Sequence, residues 1–135
     1  MSIDAINWCR ELRGLKGTEK SVLHVICDRY NDDLGYAWPS ISRIAGEAGW
    51  SDRTVTRSLR YLEREGYIAS YRQFYAHDES PASNRYYLPI FGSPPPRGKI
   101  FWVGGEFDYN GEWEPDWTSS QEELIDGWRL PDAPS

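Results

Sequence analysis

Two short helical stretches joined by one tight turn constrain this chain more than any other feature. Ser40 precedes Ile41, Ile44, Ala45 and Ala48, which recur at helical spacing, and Gly49 then offers the left-handed backbone that ends a helix. Only Trp50 separates Gly49 from Ser51, which is placed to cap a second helix from Asp52 to Glu65, closed by Gly66. A connection that short forces the two helices to pack across each other. Ala45 is small where they must approach closely, and Ile44, Trp50 and Val55 are apolar where the pair must rest on a third helix.

This is a helix-turn-helix layout. Thr18 is the predicted cap of the preceding helix, whose Val22, Leu23, Ile26 and Tyr30 share a face, and Asn31 to Gly35 form its terminating turn. Residues 2–15 predict a further amphipathic helix, capped by Ser2, with Ala5, Trp8, Cys9, Leu12 and Leu15 on one side. After Gly66, the stretches Tyr67 to Tyr75 and Arg85 to Ile90 predict a β-hairpin, with a mobile loop at Asp78 to Ser83.

The helix after Ser51 carries the chemistry. Arg53, Arg57, Arg60 and Arg64 fall on one face, with Val55, Leu59 and Leu62 opposite. A guanidinium donates two parallel hydrogen bonds, which suits phosphate and the O6/N7 edge of guanine. Ser51, Thr54 and Thr56 add short hydroxyls at the end that a recognition helix presents to the major groove. The alternative is a solvated helix face in which Glu63 and Glu65 pair with the arginines, and Arg64 also suits the helix C-terminus for dipole reasons alone. On the hairpin, Arg72, Gln73, Tyr75, His77 and Arg85 are candidate contacts, whereas Asp78 and Glu79 at its tip repel phosphate.

Taken as a single sum, the charge opposes a nucleic-acid partner, because 15 basic and 21 acidic residues give a net charge of −6. The two signs are segregated. Residues 1–99 hold 14 basic and 12 acidic side chains, while residues 100–135 hold Arg129 and nine acids. The expected organisation is a body over residues 1–91, a stiff Pro/Gly linker over 92–99 containing Pro94, Pro95 and Pro96, and an acidic, Trp-rich tail over 100–135. Asn110-Gly111 predicts a tight hairpin inside the tail. Ser119 or Ser120 followed by Glu122 or Glu123 predicts a capping box, opening a short helix with Leu124 and Ile125 that ends at Gly127.

Three uses of that tail stay open. Its aromatics can complete a small core against the body. They can bind a protein partner, with Trp102, Trp113, Glu114, Asp116, Trp117 and Trp128 as contacts. Its carboxylates can also imitate nucleic-acid phosphates, as in anti-CRISPR inhibitors.

The segment from Trp38-Pro39-Ser40 through Ile44-Ala45, Gly49, Ser51, Arg53-Thr54-Val55, Arg57, Leu59, Leu62, Gly66 and Ile68, with Asn84-Arg85-Tyr86-Tyr87-Leu88 after it, resembles the winged helix-turn-helix family of phage and plasmid replication proteins and mobile-element regulators. The resemblance covers about residues 3–91. It implies an α+β fold: a three-helix core with a β-hairpin wing, here with an extra N-terminal helix and an acidic aromatic extension. It also implies double-stranded DNA as partner, with Ser51, Arg53, Thr54, Thr56 and Arg57 as the reading positions.

Other classes find no support in the residues. His24 and Cys27 lie one helical turn apart without a second ligand pair, so no metal site is expected. Gly104-Gly105 lacks the Lys-Ser/Thr of a phosphate loop, and Glu122 and Glu123 point to different faces of the predicted helix, so neither an enzyme nor a cofactor is expected. Two cysteines and no apolar run of membrane length give a cytoplasmic expectation, without membrane association. Homodimerisation through Trp8 and Leu12 stays open.

Overall fold

The computed structural model describes residues 2–124. Four helices come first: α1 (Ile3–Glu11), α2 (Gly17–Arg29), α3 (Ile41–Ala48) and α4 (Asp52–Arg64). Five strands follow: β1 (Ala69–Tyr71), β2 (Gln73–Tyr75), β3 (Arg85–Tyr87), β4 (Lys99–Phe107) and β5 (Trp113–Leu124).

Local chemistry sets the helix ends. Ser2, Ser40 and Ser51 each accept a hydrogen bond from the backbone amide three residues on, satisfying a donor that has no partner inside the helix. Gly49 closes α3 at φ +78°, in the left-handed region a side chain disfavours. The start of α2 differs from expectation. Lys16, not Thr18, is its N-cap residue, and the Lys16 amide donates to the Glu19 carboxylate at 3.4 Å, so the cap comes from a buried glutamate reaching back.

Val22, Leu23 and Ile26 from α2 are buried with Ile41, Ile44 and Ala45 from α3 and with Val55, Leu59 and Leu62 from α4. Ala5 and Cys9 bring α1 onto the same core. Trp8 and Leu12, raised above as a dimer seam, are engaged within the chain: Leu12 packs on the core, and the Trp8 ring lies 5.9 Å from Phe91 and 6.4 Å from Tyr67.

The strand region departs most from expectation. Tyr67 to Tyr75 is not one strand. It breaks at Arg72: β1 pairs antiparallel with β3, whereas β2 pairs parallel with β4. Ala37, between α2 and α3, bridges to Tyr86 and so adds a third segment beside β3. Ile90 lies in a 3-10 turn, Pro89–Phe91, because Pro89 cannot continue the ladder. Asp78 to Ser83 is not a loose loop. The Tyr75 amide donates to the Ser80 carbonyl, the Ala82 amide donates to the Gln73 carbonyl, and Asp78 accepts from both the amide and the hydroxyl of Ser80.

Residues 100–124 are not a pendant tail. β4 lies between β2 and β5 in a three-stranded sheet, with Ile100, Phe101 and Val103 buried. The 92–99 segment is fastened along its way, since the Tyr71 hydroxyl donates to the Pro95 carbonyl. The Asn110-Gly111 turn forms as its residues dictate, with Gly111 at φ +79° and the Asp108 carboxylate accepting from the Asn110 and Glu112 amides. The capping box expected at Ser119–Glu123 does not open a helix, because those residues belong to β5, with Ser120 to Glu123 pairing with Val103 to Ile100. Gly127 and Trp128 lie outside the described residues.

The register of β4 and β5 shifts between Val103 and Gly105. A Cβ on Gly105 would overlap the Glu114 carbonyl oxygen and the Trp113 ring. Gly105→Ala is expected to destabilise the protein by about 1–3 kcal/mol, because backbone must move to admit the methyl group. Thermal denaturation followed by tryptophan fluorescence checks this, and an unchanged midpoint contradicts it.

Candidate nucleic-acid interface

α4 presents one buried and one open side. Val55, Ser58, Leu59 and Leu62 are buried, and Arg53, Arg57, Arg60 and Arg64 are exposed. The pairing with Glu63 and Glu65 considered above is not seen. Among the described residues no ion pair reaches any of these four arginines, and Glu63 instead accepts from the Ser70 amide at 3.2 Å. Arg64 leans over the Tyr61 ring at 5.4 Å.

The stripe borders a groove of about 950 Å³. One wall is α4, with Arg53, Arg57, Arg60, Tyr61 and Arg64; the other is the start of α2, with Lys16, Thr18 and Glu19. Trp50 closes one side and is fixed there, its indole N–H donating to the Ser21 hydroxyl at 2.7 Å. Trp50 is thus not core, as expected above, but a half-exposed brace between the turn and α2. Ser51 and Thr54 are joined at 3.0 Å between their hydroxyls, and Thr56 lines the groove. The structure therefore brings Arg53, Thr54, Thr56, Arg57 and Arg60 to one concave, cation-rich surface, with Ser51 at its edge.

Lys16 and Tyr61 were missed in sequence. Lys16 falls at a helix start whose cap was misassigned. Tyr61 follows Arg60 at a position between the apolar and basic faces of α4.

The hairpin candidates fare differently. Arg85, expected to face DNA, is 3% exposed and cannot reach a phosphate. Its Nε donates to the Gln73 side-chain oxygen at 2.9 Å, and its guanidinium lies 3.8 Å from the ring centroids of both Tyr36 and Phe101. Gln73 is likewise buried, and its amide donates to the Ser83 carbonyl at 2.7 Å. Arg72 is half-buried with its guanidinium over the Phe74 ring. The His77 ring stacks on Trp113 with centroids 3.8 Å apart.

The tail tryptophans are also engaged within the chain. Trp102 packs beside Phe74, Trp113 lies against Tyr75 and His77, and Trp117 stacks on Trp38 at 6.0 Å. Glu114 and Asp116 are exposed, and Asp116 accepts from the amide and hydroxyl of Thr118.

Removing the Arg85 side chain strands Gln73 and empties the space between two rings. Arg85→Ala is expected to cost about 2–4 kcal/mol of stability, through an unsatisfied buried amide and lost packing. Denaturant titration gives the value. A loss below about 0.5 kcal/mol, within the range of ordinary surface substitutions, would sink the structural assignment.

Among the described residues no helix is long and apolar enough to cross a membrane, and none of their His, Cys, Asp and Glu side chains group as a metal site. Comparison with curated proteins and with solved structures gives no match. Residues 13–68 match a family model described as a helix-turn-helix domain; the match spans α2, α3 and α4, supports a helix-turn-helix family for this part of the chain, and suggests DNA binding.

Proposed function

We propose that this chain is a winged helix-turn-helix that binds double-stranded DNA sequence-specifically by placing α4 in the major groove. The observation that carries this reading is the arginine face of α4, exposed, without ion pairs among the described residues, and backed by a helix whose other side is buried. Arg53, Thr54, Thr56 and Arg57 occupy the leading turns, where base edges are read, with Ser51 at the cap. Arg60, Lys16 and Arg64 line the same groove and supply cations for phosphate. The strand order, with Ala37 and β1 on either side of β3, supports the winged assignment. The resemblance of the sequence to phage and plasmid proteins supports a replication or transcription role in a mobile element.

The wing contributes little to this contact. Residues 73–84 contain no Lys or Arg, and Asp78 and Glu79 stand at their turn. Affinity then rests on α4 and the start of α2, and it is moderate and steeply salt-dependent. Arg57→Ala is expected to weaken duplex binding by about 1–3 kcal/mol and to reduce the log–log salt slope by about 1 if the side chain also reaches a phosphate. Fluorescence anisotropy on duplexes selected at low ionic strength measures both, and unchanged affinity together with an unchanged slope rejects the recognition-helix reading.

A second reading is a protein-binding inhibitor or adaptor, of the anti-CRISPR kind, acting through residues 100–135. The exposed acidic part of β4 and β5 favours it. A folded chain that shifts no duplex at low salt would move the balance to this reading.

A further inference from the structure

β2 ends opposite Val103. Beyond that point β4 and β5 continue from Gly105 to Pro115 as a two-stranded ribbon closed by the Asp108–Glu112 turn. Among the described residues no further strand pairs with this ribbon, and Trp113 alone of its aromatics packs on β2 and the following turn, through Tyr75 and His77. Phe107 is 66% exposed and Tyr109 fully so, the two most open aromatic side chains among the large hydrophobics at the described surface. Around them stand Glu106, Asp108, Glu112, Glu114 and Asp116, and residues 104–118 contain no Lys, Arg or His. An isolated acidic surface is commonly just solvated. This one differs because it surrounds two uncovered rings at the closed end of a two-stranded ribbon.

The same chain carries the matching surface. The groove along α4 presents Lys16, Arg53, Arg57, Arg60 and Arg64, and its apolar walls are Trp50 and Tyr61. Arginines over aromatic rings and carboxylates opposite guanidinium groups are the pairings that the ribbon and the groove offer each other. A groove of about 950 Å³ has room for the Phe107 or Tyr109 ring.

We infer that the acidic ribbon of one copy docks in the arginine groove of a second copy, in a head-to-tail contact that excludes DNA from that groove. The docking itself needs no DNA; its consequence, competition with a duplex, rests on the reading proposed above. The contact is heterologous, joining different patches on the two copies, so assembly proceeds beyond the dimer unless the rotation closes a ring. Being small and charge-driven, it is weak and salt-sensitive. It sets a threshold: at high protein concentration the groove is filled by ribbon, and a duplex must displace it.

Sedimentation velocity without DNA tests the docking. At about 50 mM salt the full chain is expected to sediment faster as concentration rises, and at about 0.5 M salt, where the screening length falls to a few ångströms, it is expected to be monomeric. Glu112→Lys with Glu114→Lys, and separately Arg57→Ala with Arg60→Ala, are each expected to abolish the low-salt association while leaving the circular dichroism spectrum unchanged. A monomer at every concentration at low salt overturns the inference, as does association that survives both double substitutions. A duplex shift measured separately at low protein concentration reports on DNA binding alone, so a failure of that reading is distinguishable from a failure of the docking. If both hold, the Glu112/Glu114 variant is expected to bind duplex at least as tightly as the parent, and several-fold more tightly at high protein concentration. Weaker duplex binding by that variant argues against competition.

Discussion

Arg85 lies between the rings of Tyr36 and Phe101, with both centroids 3.8 Å from its guanidinium carbon, and donates through Nε to Gln73. These four residues come from four places: the segment before α3, β2, β3 and β4. A buried cation is costly unless it is well surrounded, and two ring faces with a side-chain amide offset much of the lost hydration. Because each contact supplies part of that compensation, losing any one raises the cost of the others. The cation therefore couples the strand pair β1–β3 to the sheet β2–β4–β5, and through Tyr36 couples both to the helical core. The Tyr36 hydroxyl extends the link by donating to the Trp117 carbonyl at 3.1 Å, which fixes β5 against the segment before α3.

That coupling gives the molecule its electrical asymmetry. Pairing β4 with β2, and stacking Trp113 on His77, brings the acids of residues 104–118 beside Asp78 and Glu79. The arginines of α4 remain on a separate face. The overall charge of −6 therefore describes neither the arginine face of α4 nor the acidic stretch 104–118. On the proposed reading, a duplex approaching this field would be drawn to α4 and repelled from the acidic strands, so that orientation is selected before any base is read.

The features legible in sequence were those set by neighbours along the chain. Ser2, Ser40 and Ser51 cap as serine does, Gly49 turns the backbone, and Asn110-Gly111 closes its hairpin. The arginine face of α4 followed from periodicity alone. What could not be read was decided by distant partners. Nothing within Gln73–Tyr75 announces a parallel neighbour some 28 residues later, because a parallel pair needs a crossover and leaves no local turn signature. Arg85 reads as a hairpin contact because a basic side chain on a predicted hairpin is ordinarily solvent-facing. Tyr36, Gln73 and Phe101, all distant in sequence, close over it and make that position interior. Lys16 was missed for a related reason, since the buried Glu19 behind it takes the capping role that Thr18 was expected to fill.

The Ser119–Glu123 segment shows the competition most directly. Its capping-box pattern is a genuine local preference, and as an isolated peptide it would favour a helical turn. A short helix, however, is marginal on its own, because nucleation fixes several residues for one hydrogen bond. Beside it, β4 offers a strand edge already anchored by the burial of Ile100, Phe101 and Val103. Pairing Ser120 to Glu123 with Val103 to Ile100 satisfies backbone groups along a strand whose position is already fixed, so propagation continues where nucleation would have failed. The Asn110-Gly111 turn supplies the register, and the bulge at Gly105 absorbs the mismatch between the turn and the anchored end. Local preference yields here because the alternative adds hydrogen bonds to an existing template, and that template depends in turn on the buried arginine beneath it.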